Sequence, residues 1–271
     1  MRAGEGSIVF DVVARKTAIA SLRARAPLKL LAPRNHGVAR WAVVSTYGGG
    51  LVDGDVIALD VKVKRGARAL VGTQASTKVY RSPRGHARQT FVADVDDDAL
   101  LVVAPDPLVP FAGARYEQRS TIRLAPRASL AWIDVVSCGR AARGERWAFA
   151  RYAARTRIVV GDRDGLVVDD ALVLDAEQEP ARTMGRFDAL ATVFVVGPAL
   201  DATRDALFAR HAQSGLEARA DVVFAASPVL GGAGACLRVL GARASAVTAF
   251  VQAALSDLRA TLGDDPFAHR W

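Results

Sequence analysis

The sequence predicts a mainly β protein that ends in a small helical element, and three observations carry that reading. Apolar and polar residues alternate with the period of a strand, most strictly in Ile57, Leu59, Val61 and Val63 against Asp60, Lys62 and Lys64. About a dozen apolar runs, roughly 8 to 15 residues apart, lie before Asp175 with no helical pattern among them, which is the spacing of a sandwich, a barrel or a solenoid. Only after Asp175 does the period become helical, over 201–213 and again over 245–262.

In chain order, Ser7 to Val13 reads as a strand and Thr17 to Leu22 as its partner. Leu28 to Leu31, between Pro27 and Pro33, is too short for a helix, and Ala39 to Thr46 is a strand running into three glycines, Gly48 to Gly50. These, with Gly54 between Asp53 and Asp55, supply positive φ or room for another chain to come close. A phosphate cradle is excluded, because no Gly-Lys-Ser/Thr ending is present and a strand, not a helix, follows the glycines. Gly66 turns the chain into Ala69 to Val71, and the polar Gln74 to Arg81 does not suit a core strand.

Ser82 to Arg88 is a basic turn, Gln89 to Val95 a strand, Asp94 to Asp98 a solvated acidic turn, and Leu100 to Ala104 a strand stopped by Pro105. Pro105, Pro107 and Pro110 make the next segment a crossing or an edge, not a helix or central strand. Tyr116, Gln118, Ser120, Ile122 and Leu124 share one face of a strand, with Arg119 and Arg123 on the solvent side. Ser129 to Val136 is a strand and Arg140 to Arg146 a polar turn, while Trp147 to Val160 and Leu166 to Leu174 are strands joined by a hairpin over 161–165. Gln178 to Arg186 reads as loop, and Ala189 to Val196, Ala220 to Ala226 and Ala235 to Leu240 as strands. Asp201 caps one helix; Ser245 caps the last, whose face is Val247, Phe250, Val251, Ala254, Leu255, Leu258 and Leu262, and Gly263 stops it. No linker divides residues 1–271, so one domain is expected, β-rich to about residue 174.

Composition limits the function classes. Hydrophobic residues at 51% and charged residues at 24% belong to a globular chain able to bury a core. Net charge is +8, but the arginines are scattered and no nucleic-acid motif accompanies them, so a basic face for an acidic protein partner fits better than nucleic acid. Cys138 and Cys236 are far apart and suggest no disulfide framework. No apolar run is long enough to span a membrane and the start lacks a secretory pattern, so the expectation is cytoplasmic.

The Gly48 to Asp55 stretch, GGGLVDGD, then a strand and turn, then Thr73 to Arg81, TQASTKVYR, resembles the urease accessory proteins of the UreD type, also called UreH. Similar segments recur in family order: Ala26 to Leu31, Pro105 to Arg115, and Gly139-Arg140 with Gly144-Glu145. The resemblance implies an irregular β-helix-like stack of sheets with a small C-terminal helical element. It implies a maturation chaperone and not an enzyme: a scaffold for apo-urease that meets a UreF-type accessory protein and a UreG-type GTPase. No cofactor is tightly bound on this reading; nickel is transient, and buried polar residues line an internal passage.

The residues themselves leave alternatives open. Neither Gly-x-Ser-x-Gly nor His-Glu-x-x-His occurs, and His36, His86, His211 and His269 are isolated in sequence. Asp53 and Asp55 either bind their own turn amides or, with Glu145, offer weak oxygen ligands along a nickel path. Lys78, Tyr80 and Arg81 are either structural, with Lys78 paired to Asp53 or Asp55, or a partner-binding surface. A β-rich hydrolase or lyase using Asp53 or Asp55 with Glu145 is the enzymatic alternative, and a basic nucleic-acid-binding β protein the third.

Overall fold

The computed structural model describes residues 1–161, 165–215 and 219–268. The middle of the 161–165 connection and His269 fall outside them. The chain opens with an antiparallel hairpin, β1 (Glu5–Val13) and β2 (Lys16–Ala24), then a second pair, β3 (Leu28–Leu31) and β4 (Arg40–Thr46). From there it winds between two sheets through β5 (Val56–Val63), β6 (Arg68–Thr73), β7 (Thr77–Val79), β8 (Ala87–Val95), β9 (Leu100–Ala104), β10 (Leu108–Pro110), β11 (Arg115–Leu124), β12 (Ser129–Ser137) and β13 (Arg151–Val160). The first sheet has the order β14-β13-β11-β8-β5-β1-β2, with β14 (Leu166–Asp175) antiparallel at its edge. In the second, β4, β6, β9 and β12 run parallel, and three antiparallel strands extend it: β15 (Ala189–Val196), β16 (Val222–Pro228) and β17 (Gly234–Gly241).

Successive strands alternate between sheets and pair in parallel with the strand one coil earlier, so the molecule is mainly β and coiled like a solenoid. A short third side forms where β7 pairs in parallel with β10 and β10 meets β12 at Val136.

The sequence patterns follow from which faces are covered. The first sheet has solvent on one side, and β5 and β11 alternate accordingly. The second is covered on both, by the first sheet and by the helices, so β9 and β15 read as nearly continuous apolar runs. β12 divides two cores. Leu130, Trp132 and Val136 join the intersheet core, while Ala131, Ile133 and Val135 face α2 (Asp201–Ala212), α3 (Ala244–Ala254) and α4 (Leu258–Leu262), which follow the one-turn α1 (Pro180–Met184). α4 is fastened to the early strands, since Ala39 N donates to Leu262 O at 3.1 Å and Arg68 Nη1 to Thr261 O at 2.6 Å.

Several expectations are corrected. The final helix is broken at Leu255 to Asp257, and its cap is Arg243, not Ser245. Asp201 is the first helical residue and Leu200 its cap. The 178–186 segment contains α1. Leu108 to Pro110 is a short strand paired with β7 along its length and with β12 at Leu108 alone, so Pro110 keeps the edge position expected of it. The strand expected from Trp147 begins at Arg151. The acidic turn is not merely solvated, because Asp94, Asp96, Asp97 and Asp98 pair with Arg123, Lys64, Arg65 and Arg127. Among the described residues no helix is long and apolar enough to cross a membrane.

Candidate functional site

A polar chain crosses the intersheet core. In the first sheet Gln89 and Gln118 are register partners on adjacent strands, and one step along, Ser120, Thr156 and Asp170 form a second row. The second sheet answers with Asp134, Thr192 and Arg238 in one row. These positions are inward by the two-residue period of their strands, so pairing register alone stacks their side chains.

Contacts join the rows. The Tyr116 hydroxyl lies 2.9 Å from Gln118 Oε1 and 3.0 Å from Gln89 Oε1, and Gln118 Nε2 donates to Asp134 Oδ2 at 2.9 Å. Arg238 is paired with Asp170 and donates to Thr192 Oγ1 at 3.2 Å. Protein surrounds Asp134, and the little surface it keeps faces a chamber between the sheets. Burial, reinforced by the nearby Asp170 charge and opposed by the Gln118 hydrogen bond, raises its carboxyl pKa from 3.8 to about 6. The Tyr116 and Tyr152 hydroxyls are pushed well above their ordinary range by burial first and by Asp134 second.

Three chambers follow this chain. The first, about 150 Å³, has Gly49, Gly50 and the Gln74 to Thr77 turn at its mouth and adjoins the second at Val44, Thr73, Thr77 and Gln89. The second, about 60 Å³, is walled by Tyr116, Gln118, Ser120 and Asp134, and shares Trp132 and Asp134 with the third. The third, about 10 Å³, lies among Asp134, Thr156, Asp170 and Thr192 and has room for about one water. Ser120 Oγ and Trp132 Nε1 are fully buried without a hydrogen-bond partner and border these chambers. Buried polar groups normally have partners, and a third such atom among the described residues, Trp41 Nε1, lies in the helix-side core, away from these chambers.

The sequence-selected residues gather around the glycine end, outside the chambers. Asp53 accepts from the amides of Arg84 and Gly85, both at 2.9 Å, and Asp55 from Val52 N at 2.8 Å. Gly50 provides the close approach: a Cβ there would stand 2.7 Å from Lys78 O and from the Tyr80 ring, while Gly48 and Gly49 take positive φ. Tyr80 packs edge-on against Phe111, and the Arg140 guanidinium lies 4.1 Å from the same ring centre. Arg140 grips Glu145 with two bonds, and Ala112 N donates to the same carboxylate at 3.2 Å. The Arg140 bonds first, then the Ala112 amide, hold the Glu145 carboxyl below its usual range.

Lys78 is exposed and pairs with neither Asp53 nor Asp55; Arg81 is exposed against Gly113. None of Asp53, Asp55 and Glu145 lines a chamber, so they form no shared cleft with the interior carboxylates. Among the described residues no three His, Cys, Asp or Glu side chains converge as a metal cluster.

Sequence reasoning missed Gln89, Asp134, Asp170 and Thr192. The available signal was polarity on a core face: Gln118 and Ser120 keep step with Ile122 and Leu124, and Asp134 interrupts the apolar run of β12.

Comparison with known proteins identifies the family. A sequence model described as the UreD urease accessory protein matches residues 2–271. A urease accessory protein UreD of Sorangium cellulosum is 51% identical over 271 residues, covering 100% of this chain and 85% of that protein. One from Anaeromyxobacter is 41% identical over 99% of this chain and 90% of its own length. Urease accessory protein D of Oryza sativa subsp. indica is 34% identical over 209 residues, 75% of this chain and 68% of that protein. With a full-length family match and two full-length relatives above 40% identity, the chain belongs to the UreD family of urease accessory proteins.

Proposed function

We propose that this chain is a scaffold and not a catalyst: it holds apo-urease together with a UreF-type protein and a UreG-type GTPase, and conducts nickel as cargo along the polar chain between its sheets. Family membership supports a role in urease maturation. The observation that carries the finer reading is the run of adjoining chambers from the glycine end to Asp170, largely apolar in their walls but each reached by polar side chains of the row between the sheets.

The chemistry suits passage and not storage. Amide, hydroxyl and carboxylate oxygens bind a borderline divalent ion more weakly than imidazole or thiolate would. Gln89 and Gln118 offer neutral oxygens first, and the ion then meets the carboxylate of Asp134. In the narrow third chamber Asp134 and Thr156 offer oxygens to the cation, while Asp170 and Thr192 are engaged by Arg238, whose charge must move aside for the ion to go further. Above pH 6 Asp134 is ionised and attracts the ion; in acid its proton opposes entry. At the glycine end, Lys78, Tyr80 and Arg81 form the partner-facing rim, and Asp53, Asp55 and Glu145 near it can meet the ion only transiently, since each already accepts from a backbone amide and Glu145 also from Arg140.

The test is co-expression of the tagged chain with UreF-type, UreG-type and urease subunits, reading both complex recovery and nickel per urease. Asp134→Asn and Gln118→Leu should assemble normally and yield nickel-poor urease. Asp55→Ala and Lys78→Ala separate the rim from the interior. Full nickel content in both interior variants sinks the passage, and a wild-type chain that captures no partner sinks the scaffold.

A further inference from the structure

The outer face of the first sheet carries a feature that the interior path does not use. Across β11, β13 and β14, two outward rows read Glu117, Ala153, Val173 and Arg119, Arg155, Ala171. The small side chains leave a groove of about 510 Å³, and Arg151 and Arg157 wall its two ends. Its floor is apolar, with Val173 42% exposed at the sheet edge.

Charge on this surface is layered. Arg119, Arg151, Arg155 and Arg157 have side chains 74%, 45%, 57% and 49% exposed, against 27% for Glu117, 28% for Asp169 and 25% for Asp175. The carboxylates therefore lie lower and hold the guanidinium forks upright. Arg155 spends two N–H groups on Asp169, at 2.7 and 2.8 Å, and keeps three of its five donors outward. The Arg155 bonds hold the Asp169 carboxyl below its usual range, so this lower layer stays ionised. Four arginines over three carboxylates leave an outermost positive layer whose side chains are already ordered, which reduces the entropy lost when an anion binds.

We infer that this groove is a docking site for an extended acidic segment of a partner protein. Outward positions on a strand recur about every 6.6 Å, the spacing of alternate residues in an extended peptide. A segment alternating carboxylate and small apolar residues lays its acids against the forks and its small side chains on Ala153, Ala171 and Val173. Bidentate arginine–carboxylate pairing supplies the specificity. This inference is independent of the interior path.

The probe is a fluorescent ten-residue peptide of alternating glutamate and alanine, titrated into the full chain at low salt by anisotropy. Controls are its glutamine counterpart and a twenty-nucleotide oligo-dT. Arg119→Gln with Arg155→Gln should weaken binding at least tenfold, and Ala153→Tyr, which fills the groove without changing charge, should do so comparably. Lys62→Gln with Lys64→Gln, an equal charge loss elsewhere on the same sheet, should leave affinity within twofold. Thermal midpoints confirm that each variant is folded. The inference is overturned if wild type does not bind, if the lysine pair matters as much as the arginine pair, if Ala153→Tyr binds normally, or if oligo-dT outcompetes the peptide. Self-association that is lost in the arginine variant, detected by sedimentation, would overturn it in favour of a second copy.

Discussion

The two cores on either side of β12 are built from the same strand yet differ in kind. Toward the helices, Ala131, Ile133 and Val135 meet Val193, Leu237, Val251, Leu255 and Leu258 in an apolar layer, beside which Gln74, Asp106, Thr248 and Gln252 help line a separate cavity of about 180 Å³. Toward the first sheet, Trp132 and Val136 flank Asp134, and the layer carries amides, hydroxyls and an enclosed carboxylate. Packing alone would favour the apolar solution on both sides, since burying an ionisable group costs several kcal/mol of desolvation. The Asp134 carboxylate lies on the intersheet side, and its raised pKa shows that it is kept there at the expense of stability.

The comparison predicts opposite responses to substitution. The largest stability effect is expected in the helix layer: Leu255→Ala should cost about 3 kcal/mol and lower the thermal midpoint by roughly 10 °C. Nickel per urease in the folded fraction should be unchanged; a loss there would erase the functional distinction between the cores. The next effect has the opposite sign. Asp134 binds its proton more tightly folded, at about 6, than unfolded, near 3.8, so its burial costs nothing below about pH 4 and its full penalty above about pH 6. Asp134→Asn should therefore stabilise the chain by on the order of 2 kcal/mol at pH 7.5 and be near neutral at pH 4, read by denaturant unfolding at both values. Equal shifts at the two pH values would contradict the enclosed carboxylate.

Smaller effects sharpen the picture. Tyr116→Phe removes one hydroxyl shared by Gln89 and Gln118 and should cost about 1 kcal/mol, with the glutamines still held in part by Asp134. Lys78→Ala, exposed and without a side-chain partner among the described residues, should change stability by less than about 0.5 kcal/mol. Any effect of that variant on assembly then belongs to a partner, and a clear destabilisation would instead point to a structural role.

Much of the fold was legible because strand period and turn chemistry are local. Alternation in β5 and β11 and the positive-φ glycines before them identify strands and turns directly. The broken C-terminal helix was not legible, since Leu255 and Leu258 continue the apolar face across the break. The candidate site was harder still. Asp134 sits in a run buried on both sides, where alternation does not say which face meets which layer. Gln89, Gln118, Asp134 and Thr192 become neighbours only through pairings between distant strands. Sequence drew attention to Asp53, Asp55 and Lys78 because turns concentrate polar residues, and there the two aspartates cap backbone amides while Lys78 points to solvent.

The parallel winding has one further consequence. Neighbouring coils are held about 4.8 Å apart by backbone hydrogen bonds, so Gln89 and Gln118, or Ser120 and Thr156, stand one backbone-defined step from each other. A substitution changes the ligand at a station but does not move the station. The interior thus behaves as a ruler whose marks are fixed by the main chain and whose labels are written by side chains, and its length is altered only by adding or removing a whole coil.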